Sequence, residues 1–110
     1  MPGVYTVTQM NSYIKNMFRQ DFVLSRISVK GEVSNCKYHT SGHIYFSLKD
    51  GQGVMSAIMF AGSAKNLEFR LENGMQVIVS GRIDVYERDG KYQLYANAIE
   101  VDGQGDLYKQ

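Results

Sequence analysis

Two stretches of this chain alternate apolar and polar residues, and each carries a glycine in its middle. In the first, Ile27, Val29, Gly31 and Val33 share one face, and Ser28, Lys30, Glu32 and Ser34 share the other. In the second, Met75, Val77, Val79, Gly81, Ile83 and Val85 alternate over a longer run. A period of two marks a strand with one buried face. A glycine inside such a strand weakens it unless the backbone must bend sharply or approach another backbone closely. A small barrel needs that bend where one strand serves both of its halves. The pair of glycine-centred strands therefore predicts a barrel. Another small barrel or an open α+β sheet are the alternatives.

The other segments fill in the order. A strand is predicted at His43–Lys49, with Ile44, Phe46 and Leu48 inward and Tyr45, Ser47 and Lys49 outward; a polar loop, 35–42, precedes it. Asp50–Gly53 reads as a turn. A third strand follows at Val54–Phe60. Its one polar residue, Ser56, places Met55, Ala57 and Met59 inward and Ile58 and Phe60 outward. Asp89-Gly90 is a tight-hairpin signal that sets Arg88 opposite Lys91, Val85 opposite Leu94 and Ile83 opposite Ala96. The last strand runs from Lys91 to about Val101. Ala96 and Ile99 are out of phase there, so a bulge falls near Asn97 or Ala98.

Two helices are expected. Thr8 is a good N-cap, and Met10, Tyr13, Ile14, Met17 and Phe18 follow at helical spacing, a stripe that reads as core packing. Residues 62–73 suit a second, short helix stopped by Gly74. The fold class is thus mainly β: an OB-fold, a five-stranded Greek-key barrel with an N-terminal helix and a short helix between strands three and four. Residues 1–102 form the domain and residues 103–110 read as an exit linker.

Composition narrows the function. A chain of 110 residues with 44% hydrophobic content supports one core. Net charge is +1, which does not by itself mark a nucleic-acid binder. Its distribution is uneven. Residues 1–67 hold seven Lys or Arg against three acids, or +4; residues 68–110 hold five against eight, or −3. Cys36 is the only cysteine, which excludes an internal disulfide and fits a reducing, cytoplasmic setting. No apolar run reaches the length of a membrane span, and no secretory signal pattern is seen.

Catalytic constellations are wanting. His39 and His43 lack a nearby acid that would complete a metal set, so no metal or cofactor is expected. Cys36 has His39 close in sequence but nothing to orient that histidine. Gly51-Gln52-Gly53 precedes a strand and not a helix, so it is no phosphate loop. Binding is better supported. Lys37, Tyr38, His39, His43, Tyr45 and Lys49 interleave cations and rings, and no acid lies between Glu32 and Asp50. Single-stranded nucleic acid asks for this mixture, charge for phosphates and flat rings for bases. On an OB-fold the groove lies over strands two and three and the loops beside them. That adds Phe60, and Tyr86, Arg88 and Lys91 near the second loop.

The same residues carry a family resemblance. GEVSN, SGHIYFSLKD, the early VYTVTQMNSYIK, AIMF at 57–60 and NGMQVIVSGRIDVYERDGKYQL together resemble the exodeoxyribonuclease VII large subunit from Val4 to Tyr108. The resemblance implies an N-terminal OB domain that binds single-stranded DNA. It implies that the catalytic domain, and the helical region that holds the small subunit, lie outside this segment. The full enzyme of that family is an exonuclease that cuts single strands to oligonucleotides without a divalent metal. Similar proteins often carry arginine just after the position of Phe60. This chain has Ala61, so a phosphate contact is either missing there or supplied by Lys65. An OB module for RNA or tRNA, or one for protein docking, is the alternative.

Overall fold

The structure, a computed structural model, describes residues 3–102; the expected linker at 103–110 lies outside the described residues. Helix α1 spans Val7–Gln20 and starts two residues earlier than expected. Thr6, not Thr8, is its N-cap: Thr6 Oγ1 accepts from the Gln9 N–H at 3.0 Å, and Gln9 Oε1 accepts from the Thr6 N–H at 2.9 Å. This reciprocal box satisfies two backbone donors, which a cap at Thr8 would leave unpaired. Asp21 closes α1 and caps the short α2, Phe22–Ser25, through its carboxylate and the Val23 and Leu24 N–H groups.

Five strands follow: β1 (Ile27–Tyr38), β2 (Ile44–Lys49), β3 (Val54–Met59), β4 (Gln76–Tyr86) and β5 (Lys91–Val101). They close into a barrel in the order β1-β2-β3-β5-β4, with β4 returning to β1. All pairings are antiparallel except β3 with β5, where Ala57 meets Leu94 and Ile58 meets Tyr95 in parallel. β1 serves both halves. Residues Ile27 to Glu32 pair with β4, and Glu32 to Tyr38 pair with β2, so the handover falls beside Gly31. Inward residues from every strand fill the centre, among them Val33, Phe46, Leu48, Met59, Val77, Val79 and Leu94. Gly81 has no room for a side chain, since a Cβ there would run into the Tyr95 carbonyl. The bulge at Asn97 sits beside it: Gly81 pairs with Ala96 and Ser80 with Ala98.

Four further expectations need correction. The loop predicted at 35–42 is shorter, because β1 continues to Tyr38. A one-residue bulge lets it do so: Ser34 pairs with Ser47 but Lys37 with Tyr45, and Asn35 takes φ of 50°. The hairpin register is shifted by two. Val85 faces Tyr92 and Ile83 faces Leu94, and the loop holds four residues, with the Asp89 and Gly90 N–H groups both bonded to the Tyr86 carbonyl. Gly90 at φ of 70° supplies the left-handed step of that longer turn. An even shift keeps the inward and outward faces unchanged.

The helix expected across 62–73 reduces to one turn, α3, Ala61–Ala64. Beyond it Leu67, Phe69 and Leu71 pack inward at alternate positions, which an extended backbone satisfies and a helix does not. The Tyr38 hydroxyl fastens this segment. It accepts from the Leu71 N–H at 2.7 Å and donates to the Leu71 carbonyl at 3.0 Å.

The stripe on α1 is the fourth correction. Of its members only Phe18 packs against the core cluster. Asn11, Lys15 and Arg19 reach the barrel beside it. Asn11 Nδ2 donates to the Glu87 carbonyl at 2.9 Å and Lys15 Nζ to the Val85 carbonyl at 2.6 Å. Lys15 and Arg19 flank the buried Asp84 carboxylate at 3.5 and 3.4 Å, and Phe18 sits 6.2 Å from the Tyr92 ring. Met10, Tyr13, Ile14 and Met17 remain exposed. Hydrophobic period reveals that a helix is amphipathic, not which side meets the barrel.

Candidate nucleic-acid interface

The bulge at Asn35 decides what β1 offers. Past it, Lys37 shares an outward face with its partner Tyr45, while Tyr38 shares the inward phase of its partner Ile44. Lys37 thus joins the sheet surface. Tyr38 sits at the barrel end with its hydroxyl spent on Leu71 and the Arg70 guanidinium 4.2 Å above its ring. Cys36, next to the bulge, gives its thiol to the Leu71 carbonyl at 3.5 Å, and His39 bonds Ser41. Burial pushes the Cys36 thiol above its ordinary value, with Glu72 adding to that and Arg70 opposing it. It is a packed thiol and makes no pair with His39.

From Lys37 outward the rings form a chain across the sheet. His39 lies edge-on to Tyr45 at 6.1 Å, and His43 edge-on to Tyr45 at 6.5 Å and to Phe60 at 5.2 Å. Phe60 stacks on Tyr95 at 5.9 Å, with ring planes 30° apart. The Arg82 guanidinium covers Tyr95 at 4.7 Å. The row therefore crosses β2, the end of β3, β5 and β4. Ile58 is its floor. It lies between Tyr45 and Tyr95 in the sheet register and, though expected to face outward into solvent, is buried outside the central core cluster.

The row is held in place. The Ala61 N–H at the start of α3 donates to His43 Nδ1 at 2.9 Å, which leaves the ring proton on Nε2, facing away from that bond. The Tyr95 hydroxyl accepts from Gln93 Nε2 at 2.9 Å. Phe60 caps α3 and stays 45% exposed, so the one-turn helix does not cover it. Fixed, half-exposed rings lose little rotamer freedom when a base stacks on them.

The cations divide. Lys37, Arg70, Arg82, Arg88 and Lys91 form no ion pair with a described residue. Lys49, at the far end of β2 from Tyr45, faces Glu32 at 3.9 Å and is partly neutralised. Tyr86 and Lys91 pair on the outward face at the second hairpin, and Gln93 bonds Tyr95 further along β5. Arg88 belongs to that hairpin's loop. Lys65 is exposed just past α3. Tyr95, Arg82 and Arg70 are candidates that sequence reading missed. Tyr95 and Arg82 alternate outward on their strands, a signal that was legible. Their adjacency to Phe60 comes from the parallel β3–β5 pairing, which no local pattern announces. Among the described residues no group of three His, Cys, Asp or Glu could hold a metal ion, and no helix is long and apolar enough to cross a membrane.

Comparison with known proteins agrees with this geometry. The chain is 66% identical over its full length to the exodeoxyribonuclease 7 large subunit of Lachnoclostridium phytofermentans, and spans 27% of that protein. It is 55% identical over 94% of its length to the same subunit of Clostridium botulinum strain Okra, spanning 26%. The chain thus spans about a quarter of the length of these curated relatives. Among solved structures, a chain of a replication protein A heterotrimer bound to single-stranded DNA matches with TM-score 0.59 at 16% identity, over 74% of this chain and 60% of that one. Asparaginyl-tRNA synthetase from Pyrococcus horikoshii matches at 0.54 and 21%, over 69% of this chain and 19% of that one. These two show the fold alone. The family profile described as "OB-fold nucleic acid binding domain" matches residues 5–100, and the chain belongs to that family.

Proposed function

We propose that this barrel binds single-stranded DNA along the row from Lys37 to Arg82, and that in the longer subunits it resembles it presents that strand to a catalytic domain elsewhere in the polypeptide. The row of fixed rings through Tyr45, Phe60 and Tyr95, with unpaired cations at both ends, carries the reading. Bases stack on the rings and phosphates follow Lys37, Arg82 and the hairpin cations Arg88 and Lys91. Recognition by stacking and charge is neutral to sequence, because every base has a flat face. That suits a substrate to be degraded whatever its sequence. The small subunit has no place in this scheme within residues 3–102; it binds the longer protein outside this segment.

The test is fluorescence anisotropy with a labelled single strand of about ten nucleotides. Phe60→Ala and Tyr45→Ala each weaken binding by about 1–3 kcal/mol with the fold intact by circular dichroism. If both bind as the parent does, the stacking row is not the site. RNA of the same sequence bound more tightly than DNA would favour an RNA module.

A further inference from the structure

Helix α1 turns its polar side to the barrel and leaves its apolar side in solvent. At about 100° per residue, Asn11, Lys15, Phe18 and Arg19 form the face that meets β4 and β5. Val7, Met10, Ile14 and Met17 fall on the adjoining flank, spaced three, four and three, with Tyr13 beside them. None of the helix is buried; Tyr13 is 62% and Met17 56% exposed. On α2, Val23 and Phe22 are exposed too, Phe22 at 93%. The flank is uncharged. Between Val7 and Met17 the one ionisable cation is Lys15, held by Asp84, and the flank's solvent edge is Gln9, Asn16 and Gln20. A helix of 14 residues is marginal without tertiary burial of its apolar stripe.

We propose that this flank pairs, antiparallel, with the same flank of a second copy of the chain. A three-four-three spacing is the seam of two packed helices. A two-fold contact must be self-complementary, and this one is. Setting Met10 against Met17 sets Tyr13 against Ile14. At the N-terminal end of the flank, Tyr5, Gln9, Met10 and Tyr13 line a cleft of about 380 Å³ that the facing helix would fill. No like charges meet, since the flank has none to oppose, and the two helix dipoles align favourably. The exposed apolar residues together offer several hundred Å², of the order of the ~800 Å² each partner gives a standard interface. The proposal stands apart from the DNA-binding reading and does not depend on it.

Sedimentation equilibrium of the 110-residue chain from ~5 to ~200 μM tests it. A concentration-dependent dimer is expected. Ile14→Glu and Met17→Glu each raise the dissociation constant at least tenfold, with unchanged circular dichroism showing that the barrel is intact. In a Cys36→Ser background, Met10→Cys mixed with Met17→Cys forms a disulfide-linked pair on oxidation, and neither variant does so alone. A chain that stays monomeric throughout overturns the proposal. So does a dimer indifferent to both substitutions, or Met10→Cys linking to itself.

Discussion

The molecule exposes rings and apolar side chains in two places, and charge separates them. The row across β2, β3, β5 and β4 has Lys37 at one end and Arg82 at the other, and its His43 and Tyr95 are pinned by hydrogen bonds from Ala61 and Gln93. The flank of α1 has no charge and no hydrogen-bonding partner across it. The row suits a ligand with alternating flat and anionic parts. The flank suits another apolar protein surface. Both arise because a closed barrel has only one interior. Side chains that the outward phase puts outside must meet water, a ligand or a partner.

The two surfaces also rest on different supports, and substitutions should break them separately. Gly81→Ala should have the largest effect. A methyl group there meets the Tyr95 carbonyl, so β5 must move away from β4, and the row loses its frame. We expect a loss of about 3 kcal/mol or more in urea unfolding, with DNA binding lost as well. Asp84→Asn should loosen α1 and leave the row intact, at a cost of about 2 kcal/mol. Its pH dependence identifies it. Burial alone would raise the Asp84 carboxyl, but the Val85 N–H with Lys15 and Arg19 outweighs that and holds it below the usual range. A lowered native value means the contribution is complete above the unfolded value, ~3.9, and is lost as pH falls through the native one. The stability gap between parent and Asp84→Asn should therefore close below about pH 4.

Within the row, Tyr95→Ala should weaken single-strand binding about as much as Phe60→Ala, by 1–3 kcal/mol. Arg82→Ala should lower the salt slope by about 0.7, one phosphate contact. An unchanged slope would place the strand off β4. The smallest effect should come from Glu32→Gln. It frees Lys49 from its exposed partner and tightens binding by a factor of about two at low salt. No change in affinity would mean that Lys49 lies outside the path.

Much of this was legible in the amino-acid order. Alternation located all five strands within two residues at their matched ends, save the end of β1, and the phase slip between Ala96 and Ile99 located the bulge. Phe60 reads as exposed from the single polar residue of its strand, and it is. The errors share a cause. Thr6 and Thr8 are both fair caps, and only the reach of Gln9 distinguishes them. Residues 62–73 have helical composition, yet Leu71 must enter the barrel end, and burial overrides propensity. The Asp89-Gly90 pair favours a two-residue turn, but four loop residues bring the α1 contacts at Val85 and Glu87 into reach.

The sequence by itself determined the strands, their faces and the closed barrel, because period and turn chemistry act over a few residues. It also determined that cations and rings would share an outward surface on β2. Tertiary structure decided which rings touch. The parallel meeting of β3 and β5 joins residues nearly forty apart in the chain, and it makes one row of Phe60, Tyr95 and Arg82. It decided the orientation of α1 as well. A buried carboxylate on β4 holds Lys15 and Arg19, and that attraction turns the polar side of the helix inward and its apolar flank out.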